Sequence, residues 1–166
     1  MSKSAHPLSG KFIVFDGPDG SGKSTQVQRF ALWCSKEGLS VKEVREPGGT
    51  LIGEQVRQIL LDPANRDMTL ACEMLLYMAS RAQLMKQEII PALKLGEVVI
   101  ADRFVSATLV YQGIAGGLPL KWIEHVAEVA LGGCVPDLTL IFDVDNETAS
   151  KRLNPLLDRM EQKGDS

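Results

Sequence analysis

The sequence lacks long apolar stretches, closely spaced cysteines and an excess of positive charge, and each absence excludes a class of protein. No apolar run approaches the roughly 20 residues that a membrane-spanning helix needs, and the first residues lack the apolar segment of a secretory signal. The three cysteines, Cys34, Cys72 and Cys134, are too few and too widely spaced for a disulfide framework, so we expect a reducing, cytoplasmic environment. With 18 Lys+Arg against 21 Asp+Glu, the formal net charge is -3, and no basic field is present to hold a nucleic-acid polymer.

What the sequence does contain is the pattern of one α/β domain over its 166 residues. Short apolar runs rich in β-branched residues predict strands at Lys11–Asp16, Ser40–Val44, Glu97–Ala101 and Leu138–Val144. Because strands that alternate with helices form parallel sheets covered by helices, we expect an α/β fold around a central parallel sheet of four strands. Residues 1–10 are polar or small and are predicted to form a loose arm.

Helical periodicity fills the segments between these strands. The predicted helices are Ser24–Glu37, Thr50–Leu61, Thr69–Leu95, a segment through Tyr111, Leu120–Leu131 and one beginning at Glu147. We expect Pro91 to bend the third of them, because proline removes a backbone N–H donor.

The strongest local signal is the segment GPDGSGKS at residues 17–24, which fits the pattern G-x-x-x-x-G-K-[ST] between a predicted strand and a predicted helix. Glycines let successive backbone N–H groups point at phosphate oxygens, and the helix N-terminus adds partial positive charge. Lys23 places an ammonium group on the β- and γ-phosphates, and the Ser24 hydroxyl is a ligand for Mg²⁺. The sequence therefore predicts a phosphate-binding loop for a nucleoside triphosphate. Its expected contact residues are Gly17, Pro18, Asp19, Gly20, Ser21, Gly22, Lys23, Ser24 and Thr25.

The rest of the chain favours a kinase for a small molecule over other users of such a loop. A regulatory GTPase needs an N-K-x-D segment and a D-x-x-G switch, and the sequence contains no Asn-Lys pair and continues after Asp102 with Arg-Phe-Val. Motor, helicase and transporter ATPases need larger chains.

Arginines that follow the strands mark a second site. Segment REPGGT at 45–50 follows the second predicted strand, and Asp102 with Arg103 follows the third, at the edge where open α/β sheets bind ligands. Arg81 lies one helical turn after Tyr77, so the two share a face. An arginine binds phosphate through two parallel hydrogen bonds, and an aromatic ring beside an arginine can stack a base while the arginine reads its edge.

Taken together, the motifs of the chain resemble the thymidylate kinase family, which transfers a phosphoryl group from ATP to dTMP. The resemblance extends from Lys11 to Gln162 through FDGPDGSGKST, REPGGT, LLYMASRAQ, ADRF…YQG and LDRMEQ, in that order. It implies a three-layer P-loop NTPase fold, Mg²⁺ as the cofactor of ATP, a step in dTTP biosynthesis, and a short lid at about residues 150–163. It also implies a homodimer that pairs through the helix face from Tyr77 to Leu93.

The resemblance implies roles for five residues around the nucleoside. Asp19 would accept a hydrogen bond from the deoxyribose 3′-hydroxyl, unless it only forms the turn. Tyr77 would stack on thymine, with an ordinary core tyrosine as the alternative, and Arg81 would hydrogen-bond thymine, with a surface ion pair as the alternative. Thr108 and Gln112 match polar positions that line the base and sugar.

The resemblance also implies roles around the phosphates. Arg103 would hold the dTMP phosphate, and Arg45 would help it or remain a solvated surface residue. Asp102 would orient the Mg²⁺ shell together with Ser24, with a structural cap as the alternative. Because no basic residue lies between Gly17 and Gly22, the chain matches the family members whose lid supplies the catalytic arginine, here Arg159, with Arg152 either helping or solvated.

Two other functions are compatible with the sequence. One is a kinase for another nucleoside monophosphate or a deoxynucleoside, against which REPGGT and the Tyr77–Arg81 pair argue. The other is a catalytically impaired nucleotide-binding module, because the family pattern continues beyond residue 162 with a helix, a fifth strand and a last helix. We therefore expect a truncated chain without the fifth strand and without the loop that helps to hold adenine.

Replacing Arg159 with alanine is expected to lower turnover much more than ATP affinity, because a lid arginine acts mainly on charge that develops in the transition state. Steady-state rates at saturating ATP, compared with equilibrium ATP binding to the same variant, measure the two effects separately. An unchanged turnover number would contradict the assignment.

Overall fold

The computed structural model describes residues 6–152. The strands are β1 (Phe12–Asp16), β2 (Val41–Arg45), β3 (Val98–Asp102) and β4 (Leu138–Ile141). The helices are α1 (Lys23–Lys36), α2 (Leu51–Leu61), α3 (Leu70–Leu84), α4 (Ile90–Lys94), α5 (Val105–Thr108), α6 (Leu120–Leu131) and α7 (Asn146–Arg152). A short 3₁₀ turn occupies Pro63–Asn65, and π-helical segments occupy Met85–Ile89 and Leu109–Ala115.

All strands described run parallel in the order β2-β3-β1-β4, which confirms the predicted α/β fold with a central parallel sheet. Every residue of β1 is buried, as expected for a strand that is covered on both faces. The predicted strands agree with the observed ones to within one residue, except that β4 ends at Ile141 rather than Val144. β4 lies at the sheet edge with exposed side chains.

The sheet carries one apolar cluster on each face, because successive side chains of a strand point to opposite sides. On one face, α1 packs against β1 and β3 through a cluster formed by Ile13, Phe15, Val27, Ala31, Cys34, Val98 and Ile100. On the other face, the end of α3 and the helical segments that follow it pack against the sheet. This cluster includes Phe12, Val14, Leu84, Met85, Ile89, Val99, Ala101 and Phe104. The result is a layer of helix on either side of the sheet.

The long helix predicted over residues 69–95 is present as α3 and α4, joined by the π-helical segment Met85–Ile89. It begins after Thr69, whose hydroxyl accepts a hydrogen bond from the backbone N–H of Cys72. The π-helical segment ends two residues before Pro91, which lacks a backbone N–H donor. A wider helical turn thus precedes the proline at which the sequence predicts a bend.

The first described residues differ from the loose arm that the sequence predicts. Residues 7–10 form a turn, and the Ser9 N–H donates to the His6 carbonyl. Leu8 packs against the cluster on the α1 side of the sheet, and Gly10 donates to the carbonyl of Gly96. The prediction is therefore wrong for residues 6–10, because one apolar side chain and one backbone hydrogen bond dock this segment.

Helix length and hydropathy also bear on the membrane prediction. Among residues 6–152, no helix combines the length and the apolar character that crossing a bilayer requires.

Candidate active site

The loop that the sequence predicts to bind phosphate joins the end of β1 to α1, which begins at Lys23. Gly22, the residue before the helix, has a φ of 89°, a left-handed conformation that favours glycine. A Cβ atom at Gly17 would lie 2.3 Å from the carbonyl oxygen of Phe142, and one at Gly20 would lie 2.6 Å from that of Ala149. The glycines are therefore required by close backbone approach as well as by the left-handed turn.

Lys23 is buried although it is charged, with 5% of its surface exposed. Its Nζ lies 3.5 Å from Asp19 Oδ1 and 4.0 Å from Asp102 Oδ1, distances longer than a normal charge-assisted hydrogen bond. Nearby in the loop, Ser21 Oγ is buried and has no hydrogen-bond partner within residues 6–152. The loop thus offers polar groups that are only partly satisfied by the protein.

Ser24 and Asp102 meet across the edge of the sheet, where the Ser24 hydroxyl donates to Asp102 Oδ2 at 3.1 Å. A hydroxyl and a carboxylate are hard oxygen ligands, and Mg²⁺ usually takes one or two such protein groups together with waters and substrate phosphates. The described part of the chain has no group of three or more His, Cys, Asp or Glu side chains that could hold a metal alone. The pair therefore fits an Mg²⁺ that arrives with a phosphate chain.

Arg103 follows β3 in a left-handed backbone conformation, with a φ of 68°, that is unusual for a residue other than glycine. Its backbone N–H donates to the carbonyl of Phe15. The guanidinium lies 2.7 Å from Asp19 Oδ1 and 3.7 Å from Asp16 Oδ1, and it lies over the ring of Tyr111, 5.5 Å from the ring centroid. Burial opposes its charge, but the neighbouring carboxylates offset burial and raise the pKa of Arg103 above the ordinary value.

Asp19 stands between the two cations. Burial alone would raise its pKa, but the contacts with Arg103 and Lys23 outweigh burial and hold the pKa below the ordinary value. Asp19 is thus ionised at neutral pH and is an acceptor of hydrogen bonds only. Its side chain also accepts a hydrogen bond from Arg103. A residue that only formed the turn would not need this contact.

Arg81 is the largest fully buried side chain of the described residues, with 1% of its surface exposed. Its Nη2 and Nε lie 2.5 and 2.6 Å from Glu46 Oε2, and Nη2 also donates to Thr108 Oγ1 at 3.3 Å. The guanidinium lies over the ring of Phe104, 5.2 Å from its centroid. The expected alternative of a surface ion pair is wrong, because the ion pair is buried.

Glu46 is a site residue that the sequence interpretation missed. Its side chain is buried, and Oε1 has no hydrogen-bond partner within the described residues. Burial raises the pKa of Glu46, and the guanidinium of Arg81 opposes that rise. Its backbone N–H donates to the carbonyl of Asp102, so Glu46 also ties the loop after β2 to the end of β3. The sequence feature that could have identified Glu46 is its position inside the REPGGT motif.

Two other residues around Arg103 were also missed. Asp16 is buried, accepts a hydrogen bond from the backbone N–H of Gly17 at 2.8 Å, and contacts the Ser106 hydroxyl. Tyr111 presents its ring to the guanidinium. The signals were the position of Asp16 directly before the phosphate loop and of Tyr111 within ADRF…YQG.

The remaining predicted base-site residues lie on two facing helical segments. Tyr77 is half-buried on α3, one turn before Arg81. Thr108 ends α5, and Gln112 follows in the π-helical segment; both are buried. Gln112 Nε2 donates to Glu73 Oε1 at 2.9 Å. The structure thus brings these predicted residues to one side of α3.

Arg45 lies at the rim of the same sheet edge, directly beside Asp102 in the strand register. Its side chain is 53% exposed, and Nη2 lies 3.1 Å from both carboxylate oxygens of Glu54. The hydrogen bond from the Gly49 N–H to Glu54, together with Arg45, holds the pKa of Glu54 below the ordinary value. Arg45 is therefore at the predicted edge but is engaged by Glu54 there.

The two predicted lid arginines differ in what the structure shows of them. Arg152, on α7, is exposed, and its Nη1 donates to the carbonyl oxygen of Gly20 at 3.1 Å. It therefore touches the phosphate loop rather than projecting only into solvent. Arg159 and most of the predicted lid lie outside the described residues.

Comparisons with known proteins place these features in a family. The family model described as thymidylate kinase matches residues 15–163. The chain is 46% identical over 152 residues to the thymidylate kinase of Symbiobacterium thermophilum, covering 91% of this chain and 71% of that protein. It is 49% identical over 145 residues to that of Caldanaerobacter subterraneus, covering 87% and 69%. The crystal structure of thymidylate kinase from Ehrlichia chaffeensis matches with a TM-score of 0.76 and 31% identity, over 94% of this chain and 80% of that one.

Replacing Glu46 with alanine is expected to lower the free energy of unfolding by about 3–5 kcal/mol, because it leaves the charge of Arg81 buried and unpaired. Urea denaturation measures the loss. Removing Glu147, which pairs with Lys151 on the exposed surface of α7, serves as the control and is expected to cost under about 1 kcal/mol.

A double variant tests the cause of that loss. Replacing Glu46 and Arg81 together by methionine removes both charges and is expected to recover most of the stability. Equal losses in the single and double variants would show that the buried charge is not the cause.

Proposed function

The chain belongs to the thymidylate kinase family, its reaction is the ATP-dependent phosphorylation of dTMP to dTDP, and we propose how its residues divide this reaction between them. The sequence alternatives, another nucleotide substrate or an impaired module, are not favoured by these relatives. The observation that carries the proposal is the meeting of Lys23, Asp19 and Arg103 at the carboxyl edge of the sheet. Lys23 comes from the loop that we assign to ATP, and Arg103 comes from the predicted site of the dTMP phosphate.

In this proposal, residues 17–25 hold the phosphates of ATP. The backbone N–H groups of the loop point at phosphate oxygens, and the N-terminus of α1 adds its partial positive charge. Lys23 exchanges its long contacts with Asp19 and Asp102 for the β- and γ-phosphates. The unpartnered hydroxyl of Ser21 gains an acceptor or donor in the same loop.

Ser24 and Asp102 are the residues that would hold Mg²⁺, Ser24 directly and Asp102 by orienting the ion's shell. When bound, the ion neutralises charge on the β- and γ-phosphates. The support is the 3.1 Å contact between Ser24 Oγ and Asp102 Oδ2, which places two hard oxygen groups side by side at the end of the loop.

The acceptor phosphate is assigned to Arg103, with Arg45 at the rim. A fixed guanidinium binds two phosphate oxygens at once, and the contacts of Arg103 with Asp16, Asp19 and Tyr111 orient it before substrate arrives. The phosphate of dTMP is anionic near neutral pH and attacks without a strong base, so placement and cationic groups carry the catalysis. We assign further charge stabilisation to Arg159, with Arg152 beside the loop.

The nucleoside is assigned to the space beside α3. Tyr77 stacks on thymine, and Arg81 donates to a carbonyl oxygen of the base, with its plane fixed by Glu46. Thr108 and Gln112 line the base and sugar. Asp19, which is ionised, accepts the hydrogen bond of the 3′-hydroxyl.

We also propose that the chain forms a homodimer through the outer face of the long helix and works in the cytoplasm on the route to dTTP. The support for the dimer is that α3 leaves apolar side chains exposed at the start of this face, with Leu75 52% exposed just before it and Ala79 exposed within it. The cytoplasmic location fits the free state of Cys34, Cys72 and Cys134.

The reaction is tested by coupling ADP release to NADH oxidation with dTMP, dUMP, dCMP and thymidine as acceptors. We expect Mg²⁺-dependent turnover that is fastest with dTMP, and about tenfold less kcat/KM with dUMP, because one methyl group is missing. Replacing Arg103 with alanine is expected to lower kcat/KM at least a hundredfold. Arg29 on the exposed side of α1 is the matched control. ATP binding without turnover of dTMP would contradict the assignment.

The dimer is tested by sedimentation velocity. Replacing Ala79 with glutamate is expected to shift the chain from dimer to monomer, because the charge would be buried between two copies. The same change at Val129, which is 82% exposed on α6, is the control and is expected to leave the dimer intact. A monomeric unmodified chain would contradict the proposal.

A further inference from the structure

We propose that Glu73 is a positioning residue that fixes the side-chain amide of Gln112, so that the amide carbonyl reads the N3–H of thymine. The inference rests on the proposed function, because it requires Gln112 to line the base site. It assigns a role in base specificity to a buried carboxylate that no motif in the sequence singles out.

The geometry begins with two buried polar groups on facing helical segments. Glu73 on α3 and Gln112 in the π-helical segment Leu109–Ala115 are each 1% exposed. Gln112 Nε2 donates to Glu73 Oε1 at 2.9 Å. A hydrogen bond between two buried groups is stronger than one in water, and breaking it would leave a buried polar atom without a partner, so this contact holds the amide firmly.

A second cross-link, on the other side of Tyr77, joins α3 to α5, which directly precedes the π-helical segment. Glu73, Tyr77 and Arg81 follow one another at four-residue spacing on α3, so they lie on one face in successive turns. Arg81 donates to Thr108 at the end of α5. Tyr77, the proposed stacking residue, therefore stands between the Glu73–Gln112 contact and the Arg81–Thr108 contact. A base stacked on Tyr77 would have both polar groups within reach of its edge.

The direction of the amide follows from this contact. An amide has an N–H₂ end that donates and a carbonyl end that accepts, and the two ends have nearly the same shape. In the structure the N–H₂ end of Gln112 faces Glu73 Oε1, which accepts its hydrogen bond. The carbonyl of Gln112 is then turned away from Glu73 and is available to a donor.

The polar edge of thymine offers one donor, N3–H, between the two acceptors O2 and O4. Arg81 has only donors, so it pairs with a carbonyl oxygen of the base, and the carbonyl of Gln112 pairs with N3–H. Cytosine presents an unprotonated N3, which is an acceptor and repels the same carbonyl. Fixing the amide thus rejects cytosine without any contact between Glu73 and the base.

The test is the variant Glu73→Gln, which keeps the shape of the side chain and replaces one carboxyl oxygen by an N–H₂ donor. An amide opposite Gln112 accepts or donates equally well, so Gln112 is free to present either end to the base. We expect KM for dTMP to rise about tenfold with kcat within about threefold, and the ratio of kcat/KM for dTMP over dCMP to fall about tenfold. Equilibrium binding of dTMP and dCMP is measured in parallel. Glu128→Gln on the exposed face of α6 is the matched control.

A double-mutant cycle separates positioning from a purely structural role. In the background of Gln112→Ala, Glu73→Gln is expected to leave the dTMP-to-dCMP ratio unchanged, because the group that Glu73 orients is gone. Thermal unfolding is recorded for each variant. Glu73→Asp, which keeps the carboxyl group, is expected to retain more of the base preference than Glu73→Gln, and it tests the inference if Glu73→Gln does not fold.

The outcomes distinguish this inference from the proposed function. If the unmodified chain phosphorylates dTMP but the dTMP-to-dCMP ratio is unchanged in Glu73→Gln and Glu73→Asp, the positioning role is overturned and the contact only joins two helices. A fall in the ratio that persists in the Gln112→Ala background would also overturn it. Absence of dTMP turnover in the unmodified chain would instead contradict the function from which the inference starts.

Discussion

The pairing of β3 between β1 and β2 is the constraint on which the site depends. Its register sets Asp102 beside Phe15 on one side and Arg45 on the other, so three loops leave the sheet at one edge. Two backbone hydrogen bonds continue the pairing beyond the strands, from Arg103 N–H to Phe15 and from Glu46 N–H to Asp102. A shift of one residue in this register would turn each of these side chains to the opposite face of the sheet.

The same edge concentrates charge in a region that the apolar layers keep largely dry. Lys23 and Arg81 are both nearly buried, a position that costs free energy unless a carboxylate lies near. The two cations differ in their contacts: within residues 6–152, Arg81 lies close to Glu46, whereas the ion-pair contacts of Lys23 to Asp19 and Asp102 are long. Arg81 is thus held in one orientation, and Lys23 remains available to an incoming anion.

Sequence patterns predicted the fold and the local parts of the site, and missed the partners that come from distant segments. The phosphate loop was predictable because its chemistry resides in eight consecutive residues, and the strands because burial on both faces leaves unbroken apolar runs. Glu46 was missed because its partner Arg81 is 35 residues away, and Glu73 because Gln112 is 39 residues away. Leu8 was missed because a single apolar residue carries no periodic signal.

By itself, the sequence determined the α/β class, the glycine-rich loop between β1 and α1 and the residue types that follow the strands, because these depend on local pattern and on neighbouring residues. The tertiary structure decided which carboxylate faces which cation, that the ion pair of Arg81 is buried, and that Arg45 is occupied by Glu54 at the rim. Those outcomes depend on distances between segments far apart in the chain. Only the strand register and the packing of α3 against its neighbours establish such distances.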